Sequence, residues 1–177
     1  MIDFPPLPSW DGLHPLIIHF PIALLLVAPL FVALGVLFAK KHGRGLLLAA
    51  FVLMILGTAS TFVAVSTGEA AGKLAERTPA INAVLEHHEA LAERTRLVFS
   101  ILTVVFAALL VAPRFTRRPL EGRAAVAAYG VFLLFYLTGA VLLANTAHNG
   151  GRLVHEFGVQ SLMASEPLPA TTADADD

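Results

Sequence analysis

Seven histidines and not one cysteine set the chemistry open to this 177-residue chain. Neutral imidazole ligates haem iron, zinc or copper, whereas disulfides, thiolate metal sites and covalently attached c-type haem all need sulfur that is absent. Six of the seven (His14, His19, His87, His88, His148 and His155) lie toward one end of long apolar stretches; His42 stands apart between Lys41 and Arg44 and reads as a solvated loop residue. Ser66-Thr67 beside Glu69 is the nearest thing to a hydrolytic set. Hydroxyls at helix ends are more economically read as packing or capping groups, so the chain does not read as an enzyme.

The elements that must hold these imidazoles are written in the charge distribution. Only 14% of residues are charged, against about 25% in a soluble domain. Residues 12–39, 45–68, 97–113 and 124–151 contain no Asp, Glu, Lys or Arg. Apolar runs of about 17–25 residues are what an α-helix needs to cross a bilayer. A secreted globular domain, a nucleic-acid binder and a disordered chain are thereby excluded. The expected fold is an all-α integral membrane four-helix bundle, with spans at about 15–39, 45–69, 97–113 and 124–148 inside a domain covering 13–159.

Charge asymmetry orients it. The loops after the first and third spans carry Lys40, Lys41, Arg44, Arg114, Arg117, Arg118 and Arg123 with one acid, Glu121; the other side has twelve acids and five bases. Bases near span ends prefer the cytoplasm, which predicts both termini on the non-cytoplasmic side. Residues 1–12 lack a basic n-region, so no cleaved signal peptide is expected; they read as an extended segment with Trp10 as an interfacial anchor. The acidic tail 160–177 reads as disordered.

Local signals refine the helices. Pro15 suits a first helical turn, and Pro21 and Pro29 should bend the first span. Thr78-Pro79 should cap a long third helix that Pro113 ends. Val84, His88, Leu91, Thr95, Val98 and Leu102 mark one face of it. The pair Gly150-Gly151 should stop the fourth helix, with a short interfacial helix over 152–159. Ser60, Thr58, Thr61 and Thr138 are read as interhelical hydrogen-bonding groups. No internal repeat is evident.

Depth arithmetic gathers the candidates. His14, Glu69, His88 and His148 each lie 24 or 25 residues from a cytoplasmic span edge, about 36–38 Å at the helical rise, with His19 about 7–8 Å deeper. Facing favours His19, His88 and His148 as ligands, then His14, with His87 more exposed. Glu69 is a further metal-ligand candidate and, with Glu89, a carboxylate acceptor for imidazole N–H groups. Arg94, Arg96 and Arg152 are candidate partners for haem propionates. The expected occupant of this outer-side histidine cluster is haem b, or alternatively copper or zinc. One centre at one end can exchange electrons with a periplasmic cytochrome, a Rieske-type protein or quinol, but cannot carry them across the bilayer. A structural or accessory subunit using the histidines only as polar interface groups is the competing class, and a metal-handling protein a third.

At LHPLIIHFPIALLL (13–26) the chain resembles the bacterial membrane proteins grouped as domain of unknown function 2231, whose signature is His-Pro, three residues, then His-Phe-Pro-Ile-Ala-Leu. The resemblance continues through TGEAAG (67–72), EHHEALAER (86–94) and HNGGRLV (148–154), so it covers about residues 12–159. It implies a bacterial inner-membrane, multi-pass protein of about four helices with no assigned activity, from a family whose modules also occur joined to Rieske-type or cytochrome-like domains. Its signature motifs include His14, His19, His88 and His148. Members of the family often carry an aromatic where this chain has His155 and a histidine where it has Phe157, which argues against His155 as an inherited ligand.

Overall fold

In the computed structural model, which describes residues 7–75, 77–117 and 120–159, five helices follow in order: α1 (His14–Ile17), α2 (His19–Leu37), α3 (Gly43–Leu74), α4 (Pro79–Thr116) and α5 (Gly122–His155). No strand occurs among the described residues. A turn at Ile18 separates α1 from α2, and the two together with α3, α4 and α5 make four segments long and apolar enough to cross a membrane. Leu30, Leu34, Val104, Leu134 and Phe135 lie exposed on their outer faces, where lipid rather than water satisfies them.

The helices form a closed ring. α2 packs on α3, α3 on α4, α4 on α5 and α5 back on α2, while the diagonal pairs make no close backbone approach among the described residues. Leu25, Ala28 and Val32 of α2 meet Ala50 and Met54 of α3, Phe99, Leu102 and Phe106 of α4, and Phe132, Tyr136 and Leu143 of α5. All the buried aromatic rings of this core come from α4 and α5, and its two buried alanines from α2 and α3. Val84, Leu91, Thr95 and Leu102 are buried, His88 and Val98 partly so, and His87 is exposed, as the apolar stripe along α4 requires.

The prolines show how the bundle settles its backbone. Pro29 has no N–H, so the Leu25 carbonyl one turn earlier loses its helical partner. The buried hydroxyl of Tyr136 on α5 donates to that carbonyl at 2.7 Å. Helix α4 begins as its sequence requires, with the Thr78 hydroxyl accepting from the Ile81 N–H at 3.2 Å. Arg77 closes the turn before it by donating to the Gly72 carbonyl at 2.9 Å and to Asn82 at 3.2 Å.

Four local expectations need correction. Pro113 lies inside α4, which continues to Thr116; a proline this near a helix end removes one ladder bond without terminating it. Gly150 and Gly151 lie inside α5, which runs on to His155, so no separate helix covers 152–159. Two helical glycines cost together about 1–2 kcal/mol relative to alanine. Burial of Leu153 against Ile81, Val84 and Leu85 offsets that by about 1.5–3 kcal/mol. The segment before α1 is not extended throughout: the Leu13 N–H donates to the Ser9 carbonyl at 3.0 Å in a turn. Of the polar groups read as interhelical, only Thr58 bridges, to Thr103 at 2.8 Å. Ser60, Thr61 and Thr138 bond back to carbonyls three residues earlier on their own helices. The acidic tail 160–177 lies outside the described residues.

Two predictions follow from this packing. Tyr136→Phe should lower stability by about 1 kcal/mol, the scale of a buried interhelical hydrogen bond in lipid. In a Pro29→Ala background, where a helical N–H again reaches Leu25, the same change should be nearly neutral, as a double-mutant cycle of unfolding in detergent would reveal. Gly57→Ala should be costlier, because its Cβ would fall 2.7 Å from Leu25 side-chain atoms; overpacking of this kind costs about 1–3 kcal/mol, and Leu25→Ala should relieve part of it.

Candidate functional site

Near the end of the bundle where α1 begins, two imidazoles are seated in the same way. His14, the first residue of α1, presents Nδ1 to the Ala64 carbonyl of α3 at 3.0 Å. A carbonyl can only accept, so Nδ1 carries a proton, and in the neutral ring Nε2 keeps its lone pair. The Thr67 oxygen lies 3.2 Å from the same Nδ1; its own hydroxyl donates back to the Val63 and Ala64 carbonyls, at 2.9 and 3.1 Å. The ring lies against Gly68, where a Cβ would come within 2.8 Å of His14 Cε1.

His88 on α4 repeats the arrangement on α5. Its Nδ1 lies 3.0 Å from the Thr146 carbonyl, which fixes the same tautomer and leaves Nε2 again as the free nitrogen. Its ring lies against Gly150, where a Cβ would come within 3.0 Å of His88 Cε1. In both seats the accepting carbonyl precedes the glycine by four residues, one helical turn, so carbonyl and bare Cα line one face. Thr146 is tied further to α4 by a 2.8 Å hydroxyl contact with Thr95. Thr146 donates its own proton to the Leu142 carbonyl, so Thr95 is the donor between the two. Both rings are partly buried, and His14 lies within electrostatic reach of His88. A pinned Nδ1–H with an unprotonated Nε2 is the state in which histidine ligates a metal.

The other candidates are placed differently. His19, His148, His87 and His155 are exposed on the outer faces of their helices, as is Glu69. No group of three or more His, Cys, Asp or Glu residues close enough to hold a metal ion occurs among the described residues. The cluster expected from six histidines on one side is therefore not found. A shared depth along the helices does not bring side chains together unless they also point inward: His148 shares a level with the seated pair and His19 lies deeper, yet both are exposed. The seats take the acceptor role expected of Glu69 and Glu89; backbone carbonyls hold the imidazole N–H groups instead. Glu89 sits beside Gly72, with Oε1 at 3.1 Å from where a Cβ would be.

Two of the three arginines have partners on their own helices. Arg96 pairs with Glu93 at 2.7 Å and its guanidinium stacks over Phe62 at 5.2 Å. Arg152 pairs with Glu156 at 2.9 Å, and Arg94 is exposed. Sequence reasoning passed over Thr67, Gly68, Thr146 and Gly150 as parts of a site. For Thr67, Gly68 and Gly150 the signal was present in TGEAAG and HNGGRLV, where a small or amide residue precedes a glycine; Thr146 lies just before the second motif.

Neither a curated protein nor a solved structure matches the chain. Residues 11–162 match the family described as "Predicted membrane protein (DUF2231)", a stretch that contains all four spans and both histidine seats. The chain is thus a multi-pass membrane protein and belongs to the DUF2231 family.

Proposed function

We propose that His14 and His88 would hold a b-type haem at one end of the bundle for one-electron transfer. The observation that carries this reading is the matched pair of seats: two imidazoles from different helices, each fixed through Nδ1–H to a backbone carbonyl, each keeping Nε2 for a ligand. The donor count favours haem over a bare ion. Structural zinc takes four protein ligands and catalytic zinc three, whereas haem iron takes four nitrogens from its porphyrin and asks the protein for two. The bound group would supply a reversible one-electron couple, tuned by its axial ligands and their hydrogen bonds. The chain's residues fix ring orientation and tautomer through the Ala64 and Thr146 carbonyls, with the buried hydroxyls of Thr67, Thr95 and Thr146 beside them.

The site lies at the opposite end from Lys40, Lys41, Arg44, Arg114 and Arg123, and the preference of such bases for the cytoplasm supports a site on the periplasmic side of a bacterial inner membrane. A periplasmic cytochrome, a Rieske-type protein or quinol in the outer leaflet are the electron partners such a position allows. Transfer across the bilayer is not part of the reading, since a second centre would be needed near the cytoplasmic face.

Detergent-purified protein from haem-supplemented cells should show the absorption spectrum of a low-spin b-type haem, at one haem per chain. His14→Ala and His88→Ala should each abolish the low-spin signature, with free imidazole restoring it in part. His19→Ala and His148→Ala should leave it unchanged. A haem-free protein, or a spectrum indifferent to His14 and His88, overturns the proposal and leaves a structural membrane subunit whose imidazoles serve helix packing.

A further inference from the structure

The correspondence between the two seats runs down the whole bundle. Advance α1 and α2 by 74 positions onto α4, and His14 falls on His88, Pro21 on Thr95, Leu25 on Phe99, Ala28 on Leu102 and Val32 on Phe106. Apart from the partly buried histidines, every residue in those pairs is buried. Advance α3 by 82 positions onto α5, and Ala50 falls on Phe132, Met54 on Tyr136, Gly57 on Gly139, Thr61 on Leu143 and Thr67 on Asn149, all buried. The same shift carries Ala64, whose carbonyl holds His14, onto Thr146, whose carbonyl holds His88, and Gly68 onto Gly150.

Contacts obey the same map. A Cβ at Gly57 would strike Leu25 at 2.7 Å, and one at Gly139 would press on Leu102 and Phe99 at 3.1 and 3.3 Å. Packing of α2 on α3 maps onto α4 on α5, and α3 on α4 onto α5 on α2. Both hairpins cross in the same direction, so the operation relating them is a two-fold rotation about an axis along the membrane normal, the arrangement of parallel repeats in membrane proteins. Among the histidines only one pair is exchanged: His19 falls on Glu93, His87 on Leu13, His148 on Ser66 and His155 on Lys73.

We infer that the chain is two copies of one helical hairpin closed about a two-fold axis, with one ligand site on that axis built from two equivalent half-sites. Gly68 and Gly150 are matching positioning residues, each setting the ring of its own histidine. The guest is one with two opposed, equivalent coordinating faces, as a porphyrin iron has. Its identity as haem rests on the reading above; the two half-sites do not.

Because the natural sequence has no cysteine, thiols placed at paired positions are the only ones in the protein. In full-length His14→Cys/His88→Cys, mercuric ion or a short bifunctional thiol reagent should bridge the pair within one chain, and in His19→Cys/His148→Cys it should not. In the otherwise natural chain, Gly68→Ala should shift the imidazole N–H resonance of His14 and Gly150→Ala that of His88. The two shifts should be similar in size, while Gly151→Ala, with open space around it, moves neither. Bridging and paired shifts in a haem-free protein uphold the duplication while the haem reading falls. Failure to bridge, or a shift at one seat alone, overturns the inference.

Discussion

Helices in this bundle approach one another where a side chain on one lies against the bare Cα of a glycine on the next. Leu25 rests on Gly57, His14 on Gly68, Phe99 and Leu102 on Gly139, and His88 on Gly150. In lipid no hydrophobic force drives helices together, so close packing and hydrogen bonds made at short range must do so. A glycine supplies both: room for an apolar side chain at mid-depth and, near the end of the bundle, access to a carbonyl one turn away. The core and the imidazole pair are therefore products of one device used at two levels. What differs is the visiting side chain, apolar where the neighbours are apolar and imidazole where carbonyls can be reached.

Much of the architecture was legible because membrane insertion leaves coarse marks. Four charge-free runs gave the spans, Thr78-Pro79 the start of α4, and the apolar stripe the choice of His88 over His87 as the inward-facing ring. Errors came where a local signal met a tertiary demand. Gly150-Gly151 reads as a stop, yet α5 passes through because Gly150 makes room for a ring and Leu153 finds a hydrophobic cluster beyond. His148 had the right depth and the wrong azimuth, and His19, deeper by the same arithmetic, is exposed as well; 1.5 Å per residue measures depth well, while azimuth depends on which neighbour lies alongside.

The two-fold relation was hidden for a different reason. Where paired core positions share space near the centre of the ring, volume on one is compensated on the other: Ala50 with Phe132, Ala28 with Leu102, Val32 with Phe106. Packing density constrains the sum rather than either member, so residue identity at such pairs drifts apart. Identity persists where a residue is needed for itself, at the seated histidines and at the glycines beneath Leu25, Phe99 and the two rings. A repeat in an apolar bundle is thus written in spacing and burial, and scarcely in letters.

The hydroxyl of Tyr136 and the carbonyl of Leu25 stand 111 positions apart in the chain, and this has a bearing on the order of assembly. Translation delivers the proline-bearing hairpin to the bilayer before α5, the element that carries the hydroxyl bonded to this oxygen. Arrival of the last helix therefore completes the polar pairing of the first, and ties the interrupted turn to the final step of synthesis.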